Sequence, residues 1–87
     1  MPRVSYFYGI AISMYADEGK HQIPHVHARY AEYRASIGFD GTVLAGGLSS
    51  AQLVRVRKWL MLHPGELAAN WKRGRNGESM ERIDPLA

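Results

Sequence analysis

The sequence predicts an α+β fold: an antiparallel β-sheet of three to four strands covered on one face by two C-terminal helices, a two-layer sandwich. Three observations predict it. Large side chains recur with period two from Tyr6 to Tyr15 and again from His25 to Phe39, the mark of strands with one packed face. Asp40-Gly41 lies between apolar runs and accommodates the positive φ angles of a tight hairpin. After Ser49 the spacing becomes helical, with Leu53, Val56, Leu60 and His63 on one stripe.

The first strand spans Tyr6 to Tyr15, with Tyr6, Tyr8, Ile10, Ile12 and Met14 on one side and Gly9, Ala11 and Ser13 on the other. Residues 16–24 hold Asp17-Glu18-Gly19-Lys20 and Pro24 and read as a loop. From His25, the residues Val26, Ala28 and Tyr30 alternate with His25, His27 and Arg29, but after Glu32 the apolar set moves to Tyr33, Ala35, Ile37 and Phe39. A two-residue turn at Ala31-Glu32 produces this flip by setting Tyr30 opposite Tyr33 and Val26 opposite Ile37. One long strand with a bulge near Ala31 flips the parity equally well, and both readings stay open.

A last strand runs from Thr42 to Ala45, and Gly46-Gly47 ends the sheet. Ser49 is placed to cap the first helix, whose opposite side carries Arg55, Lys58 and Leu62. His63-Pro64 interrupts the helix, and Pro64 suits the first turn of a second one bearing Leu67, Ala68 and Trp71. Gly74 and Asn76-Gly77 are terminators, and Met80 to Pro85 is an extended tail that could serve as an edge strand. Trp59 and Trp71 are read as core anchors, against the alternative that Trp71 with Lys72, Arg73 and Arg75 forms an aromatic-basic nucleic-acid contact.

The chain of 87 residues is expected to form a single domain, residues 1–87. At that size it supports one modest core, which argues against multi-step cofactor chemistry. The absence of cysteine excludes disulfides, thiolate metal sites and a Cys nucleophile. With no apolar span long enough for a bilayer, the expectation is a soluble cytoplasmic protein. Net charge is +3. Residues 1–48 balance four basic residues against four acidic ones, so the whole excess lies in the helical half. Arg55, Lys58, Lys72, Arg73 and Arg75 there are candidates for contacting nucleic acid or an acidic partner, against the alternative of a solvated helix surface.

The most suggestive chemical group lies on the second and third strands. With the turn at 31–32, His25, His27, Arg29, Arg34 and Ser36 share the sheet face turned away from the core. Two imidazoles can divide general acid and base work near neutral pH, and guanidiniums can hold a phosphate. His25, His27, Arg29 and Arg34 would therefore suit a metal-independent ribonuclease. The alternative is the polar face of a half-solvated strand. A metal reading would use His21, His25 and His27 with Asp17, Glu18 or Glu32, since His-x-His on one strand face sets two imidazoles roughly 7 Å apart at Cβ. Gly19, His25, His27 and Glu32 are similar to the first cupin motif, but cupins need a longer all-β barrel.

The opening Pro2-Arg3-Val4-Ser5-Tyr6-Phe7-Tyr8-Gly9-Ile10, the segment Pro24-His25-Val26-His27-Ala28, the Glu32-Tyr33 pair and Asn70-Trp71 together resemble the small bacterial family called domain of unknown function 4160. The family often carries proline where Ile23 stands and glycine where Ala31 stands. Its members are often encoded beside another small domain, an arrangement similar to toxin-antitoxin gene pairs. The resemblance thus implies a small protein partner encoded next to this chain and an RNA or DNA target, and its motif points to His25 and His27. Two functions follow as expectations: a protein- or nucleic-acid-binding module of such a pair, or a small RNA endonuclease. No cofactor is expected beyond the metal alternative, no membrane is implied, and self-association is left open.

Overall fold

A computed structural model describes residues 3–15 and 23–87 of the chain. Strands β1 (Arg3–Phe7), β2 (Ile10–Ser13), β3 (His25–Tyr30), β4 (Tyr33–Gly38) and β5 (Val43–Gly46) precede helices α1 (Ser50–Leu62) and α2 (Pro64–Arg75). The strands pair in chain order, each antiparallel to the next. The α+β architecture with an antiparallel sheet and two C-terminal helices is as the sequence predicts. The sheet has five strands rather than three to four.

The additional strand comes from the first segment, where the expected single strand from Tyr6 to Tyr15 is a hairpin. Tyr8 (φ 51°) and Gly9 (φ 79°) both take left-handed backbone, the signature of a type I′ turn whose twist matches the flanking strands. Phe7 then pairs with Ile10 and Ser5 with Ile12, so these two residues of β1 share the face of Ile10 and Ile12, while a register shift between Arg3 and Ser5 sets Arg3 opposite Ser13 on the other face. Phe7 is buried beside Ile10 and Ile12, whereas Tyr6 and Tyr8 remain half exposed, contrary to the unbroken alternation.

At residues 31–32 the turn reading holds. Tyr30 faces Tyr33, Val26 faces Ile37 and Ala28 faces Ala35 without interruption, and Ala31 takes the left-handed conformation (φ 55°). Burial of Val26 and Ile37, each worth ~1.5–3 kcal/mol, explains the register. A slip by one residue would exchange them for the polar set. Asp40-Gly41 does turn the chain, but in a three-residue loop. Gly41 N–H donates to the Gly38 carbonyl and Gly38 N–H to the Thr42 carbonyl, both at 2.8 Å. Gly41 (φ 92°) supplies the left-handed residue that this loop needs, and Asp40 Oδ1 accepts the Thr42 N–H at 3.0 Å.

Ser49 occupies the N-cap of α1, and its carbonyl accepts the Leu53 N–H at 2.9 Å. Its hydroxyl makes no capping bond, so the expected side-chain cap does not form. His63 joins the two helices, donating from Nδ1 to Glu66 Oε1 at 2.6 Å, and Pro64 opens α2. Val56, Trp59 and Leu60 of α1 and Leu67 and Trp71 of α2 close over Val4, Phe7, Ile10, Ile12, Met14, Val26, Ala28, Ala35 and Ile37 of the sheet side.

The segment after α2 is not an edge strand. Ile83 is buried and makes one backbone hydrogen bond to Val4, at 2.8 Å. The rest is held by side chains. Buried Asn70 donates from Nδ2 to the Glu81 carbonyl (2.7 Å) and accepts the Glu81 N–H on Oδ1 (2.9 Å), and Trp59 Nε1 donates to the Asp84 carbonyl (2.8 Å).

Candidate functional site

Because helices cover one face of the sheet, the side chains that alternate away from the core form the other. Strand register lays these out in rows. Arg3 faces Ser13, Ser13 faces His27, His27 faces Ser36 and Ser36 faces Ala45, one row crossing all five strands. The next row runs Tyr6, Ala11, Arg29, Arg34. Ala11, Ser13 and Ala45 are small, so the middle of this face is recessed. The result is a cleft of about 490 Å³ bordered by Arg3, Tyr15, His27, Arg29, Arg34 and Ser36.

The cleft is cationic. Arg3, Arg29 and Arg34 are exposed, and among the described residues none of them forms an ion pair. Arg29 and Arg34 stand directly opposite each other, a like-charge pairing that costs ~0.2–1 kcal/mol in the empty sheet. Arg29 Nε donates to the Ala31 carbonyl at 3.4 Å, and Arg3 lies over the Tyr6 ring, 5.2 Å from its centroid.

At one end of the cleft the histidines form a hydrogen-bonded pair, with His25 Nε2 and His27 Nε2 3.2 Å apart. Their neighbours assign the tautomers. His25 Nδ1 lies 2.7 Å from the Ile23 carbonyl, which can only accept, so this nitrogen carries a proton. In neutral His25 the Nε2 lone pair then accepts from His27 Nε2–H, and His27 Nδ1 accepts from the Ser36 hydroxyl at 3.4 Å. Burial, and secondly the nearby His25, hold the His27 pKa below its ordinary value. Ring contacts fix both imidazoles: Tyr15 meets His27 edge-on at 4.7 Å and Trp71 meets His25 at 5.6 Å.

Four of the five residues that the sequence places on this face, namely His27, Arg29, Arg34 and Ser36, line the cleft. His25 stands behind His27 at the strand end, between it and Trp71 of α2. Arg3, Ser13 and Tyr15 escape sequence reasoning because β1 and β2 read as one strand. Gly9 was the available signal, since a glycine after a half-polar residue between two apolar runs marks a turn.

The helical cations lie elsewhere. Arg55 sits over the Tyr8 ring at 4.5 Å and borders a second recess with Lys58 and Ala87. Lys72, Arg73 and Arg75 occupy the last turn of α2, where cations complement the helix dipole. Arg73 also donates to Asn70 Oδ1 at 3.0 Å and lies 3.8 Å from Glu81. His21, Asp17 and Glu18 fall outside the described residues. Glu32 is exposed in the turn at the other end of β3 from His25. Among the described residues, no three His, Asp or Glu side chains gather as a metal-binding group. No described helix is long and apolar enough to cross a membrane.

No curated protein and no solved structure matches the chain. A family profile described as domain of unknown function (DUF4160) matches residues 9–72, which include the histidine pair, Arg29, Arg34, Ser36, Asn70 and Trp71. That match covers most of the sequence, from the turn of the first hairpin to Lys72 in the last turn of α2, and the chain belongs to this family.

Proposed function

We propose that this chain is a nucleic-acid-binding module of the bacterial cytoplasm, one component of a toxin-antitoxin-like pair, and that it receives a phosphodiester backbone in the cleft on its open sheet face. The observation that supports this reading is the convergence of Arg3, Arg29 and Arg34 on one recessed floor, with no ion pair to any of them among the described residues. Unpaired guanidiniums around a shallow concavity suit phosphate oxygens, and the exposed Tyr6 gives a base a ring to stack on. Small residues at Ala11, Ser13 and Ala45 let a backbone approach the strands closely.

Binding is preferred to strand cleavage because it requires only the cationic surface, whereas cleavage requires an imidazole nitrogen released from the partners that all four ring nitrogens of His25 and His27 have here. A general base needs a nitrogen directed at the proton it removes. The test is fluorescence anisotropy with a labelled 20-nucleotide RNA and the matching DNA. Arg29→Ala and Arg34→Ala are expected to weaken binding at least tenfold, while Lys72→Ala/Arg75→Ala leaves it within twofold. Equal losses from both sets would place the interface on the helices, and absence of binding would remove the reading. Co-purification with the product of the neighbouring gene tests the pairing.

A further inference from the structure

We propose that His25 and His27 form a two-nitrogen binding site for a borderline divalent transition ion of the zinc class. The inference rests on the geometry of the histidine pair and stands independently of nucleic-acid binding. With zinc–nitrogen bonds of ~2.0–2.1 Å, two Nε2 atoms 3.2 Å apart subtend about 100° at a shared ion, close to the tetrahedral angle of ~109°. Residues i and i+2 of a strand place imidazoles on one face, but free rings would turn apart. Here both rings are turned inward so that their Nε2 atoms converge.

The surroundings of each ring match what a metal-binding histidine requires. A ligating imidazole donates its other N–H to an oxygen acceptor, which fixes its orientation. His25 does so already, from Nδ1 to the Ile23 carbonyl at 2.7 Å. His27 Nδ1 faces the Ser36 hydroxyl at 3.4 Å, which can accept once the ring proton moves from Nε2 to Nδ1. That shift frees both Nε2 lone pairs without releasing a proton from the neutral pair, so the ion takes the place of the proton they share. Tyr15 and Trp71 hold the rings edge-on and limit the ordering that binding would require.

Two imidazole nitrogens with no carboxylate among the described residues beside them select zinc, nickel or copper(II) over magnesium or calcium. Since His27 lines the cleft and His25 stands behind it, the shared ion would lie at the end of the cleft.

The experiment is calorimetric titration of tag-free, chelator-stripped protein with zinc chloride at pH 7.5, together with imidazole nitrogen NMR of the wild type. One ion per chain is expected, with large shifts at Nε2 of His25 and His27 and both Nδ1 atoms protonated. His25→Gln and His27→Gln should each lower affinity at least tenfold, and magnesium chloride should not compete. Zinc binding that leaves both Nε2 resonances unmoved, survives the double variant or is absent would overturn the proposal. The NMR readout on unaltered protein keeps the answer independent of whether a variant folds.

Discussion

Arg29 and Arg34 face each other across β3 and β4 with no ion pair to either among the described residues. Two guanidiniums in register repel by ~0.2–1 kcal/mol, a cost the fold bears only in the absence of an anion. Arg34→Thr is therefore expected to stabilise the free protein by about that amount, since threonine suits an exposed strand position. The same change should weaken RNA binding at least tenfold. Urea unfolding and anisotropy on one preparation check both halves, and a variant that loses stability as well as binding would show that Arg34 serves the fold.

Ala31 takes a left-handed conformation (φ 55°) in the turn that aligns His27 with Ser36 and Arg29 with Arg34. A residue with a Cβ pays ~1–2 kcal/mol there, and glycine does not. Ala31→Gly is expected to raise stability by about 1 kcal/mol, with RNA affinity unchanged, as measured by urea unfolding and anisotropy.

Asn70 is the buried pin between α2 and the C-terminal segment, bonded twice to the Glu81 backbone and once to Arg73. Asn70→Ala removes these bonds and releases the Glu81 amide and carbonyl from α2. Glu81 is exposed, so water can reach its freed groups, and a loss of about 2 kcal/mol is expected from hydrogen bonds that each contribute ~0.5–1.5 kcal/mol net. Amide exchange should accelerate first at Glu81 and Ile83, and uniform acceleration across the sheet would contradict the pinning role.

Stability should also depend on pH through His27. Its folded pKa lies below the ordinary 6.5, so the folded chain binds its proton less readily than the unfolded chain. Above pH 6.5 this difference costs nothing. As pH falls below 6.5 the unfolded chain takes up the proton first, and stability drops until pH passes the lowered folded value. Asp40, whose Thr42 hydrogen bonds lower its pKa from 3.8, contributes only at more acidic pH, where its stabilisation is lost. Urea midpoints in chelator-containing buffer should therefore fall between pH 7.5 and 5.0 in the wild type. The fall should be smaller in His27→Gln.

The parts of this fold legible in the sequence were those where hydrophobic parity carried the information. The switch from Val26 and Ala28 to Ala35 and Ile37 implied a turn whose register the structure reproduces pair by pair. Tyr8-Gly9 was not legible in the same way, because Tyr6, Tyr8, Ile10 and Ile12 preserve the period of one strand while the chain reverses. That omission hid Arg3, which reaches the cleft only through its pairing with Ser13. The helical cations stand out in the sequence by their number, but charge density along a sequence does not say which surface a side chain joins. Contact between His25 and Trp71 depends on how α2 lies against the strand ends, which no local pattern records.

The open sheet face is proposed to bind a phosphodiester backbone through its guanidiniums. The most direct test is the salt dependence of RNA affinity for the wild type beside Arg29→Ala/Arg34→Ala. Each phosphate contact to single-stranded nucleic acid contributes ~0.7 to the slope of log K against log salt. The double variant is predicted to flatten that slope by about 1.4 and to bind more weakly at low salt. An unchanged slope with unchanged affinity would show that Arg29 and Arg34 do not contact phosphate.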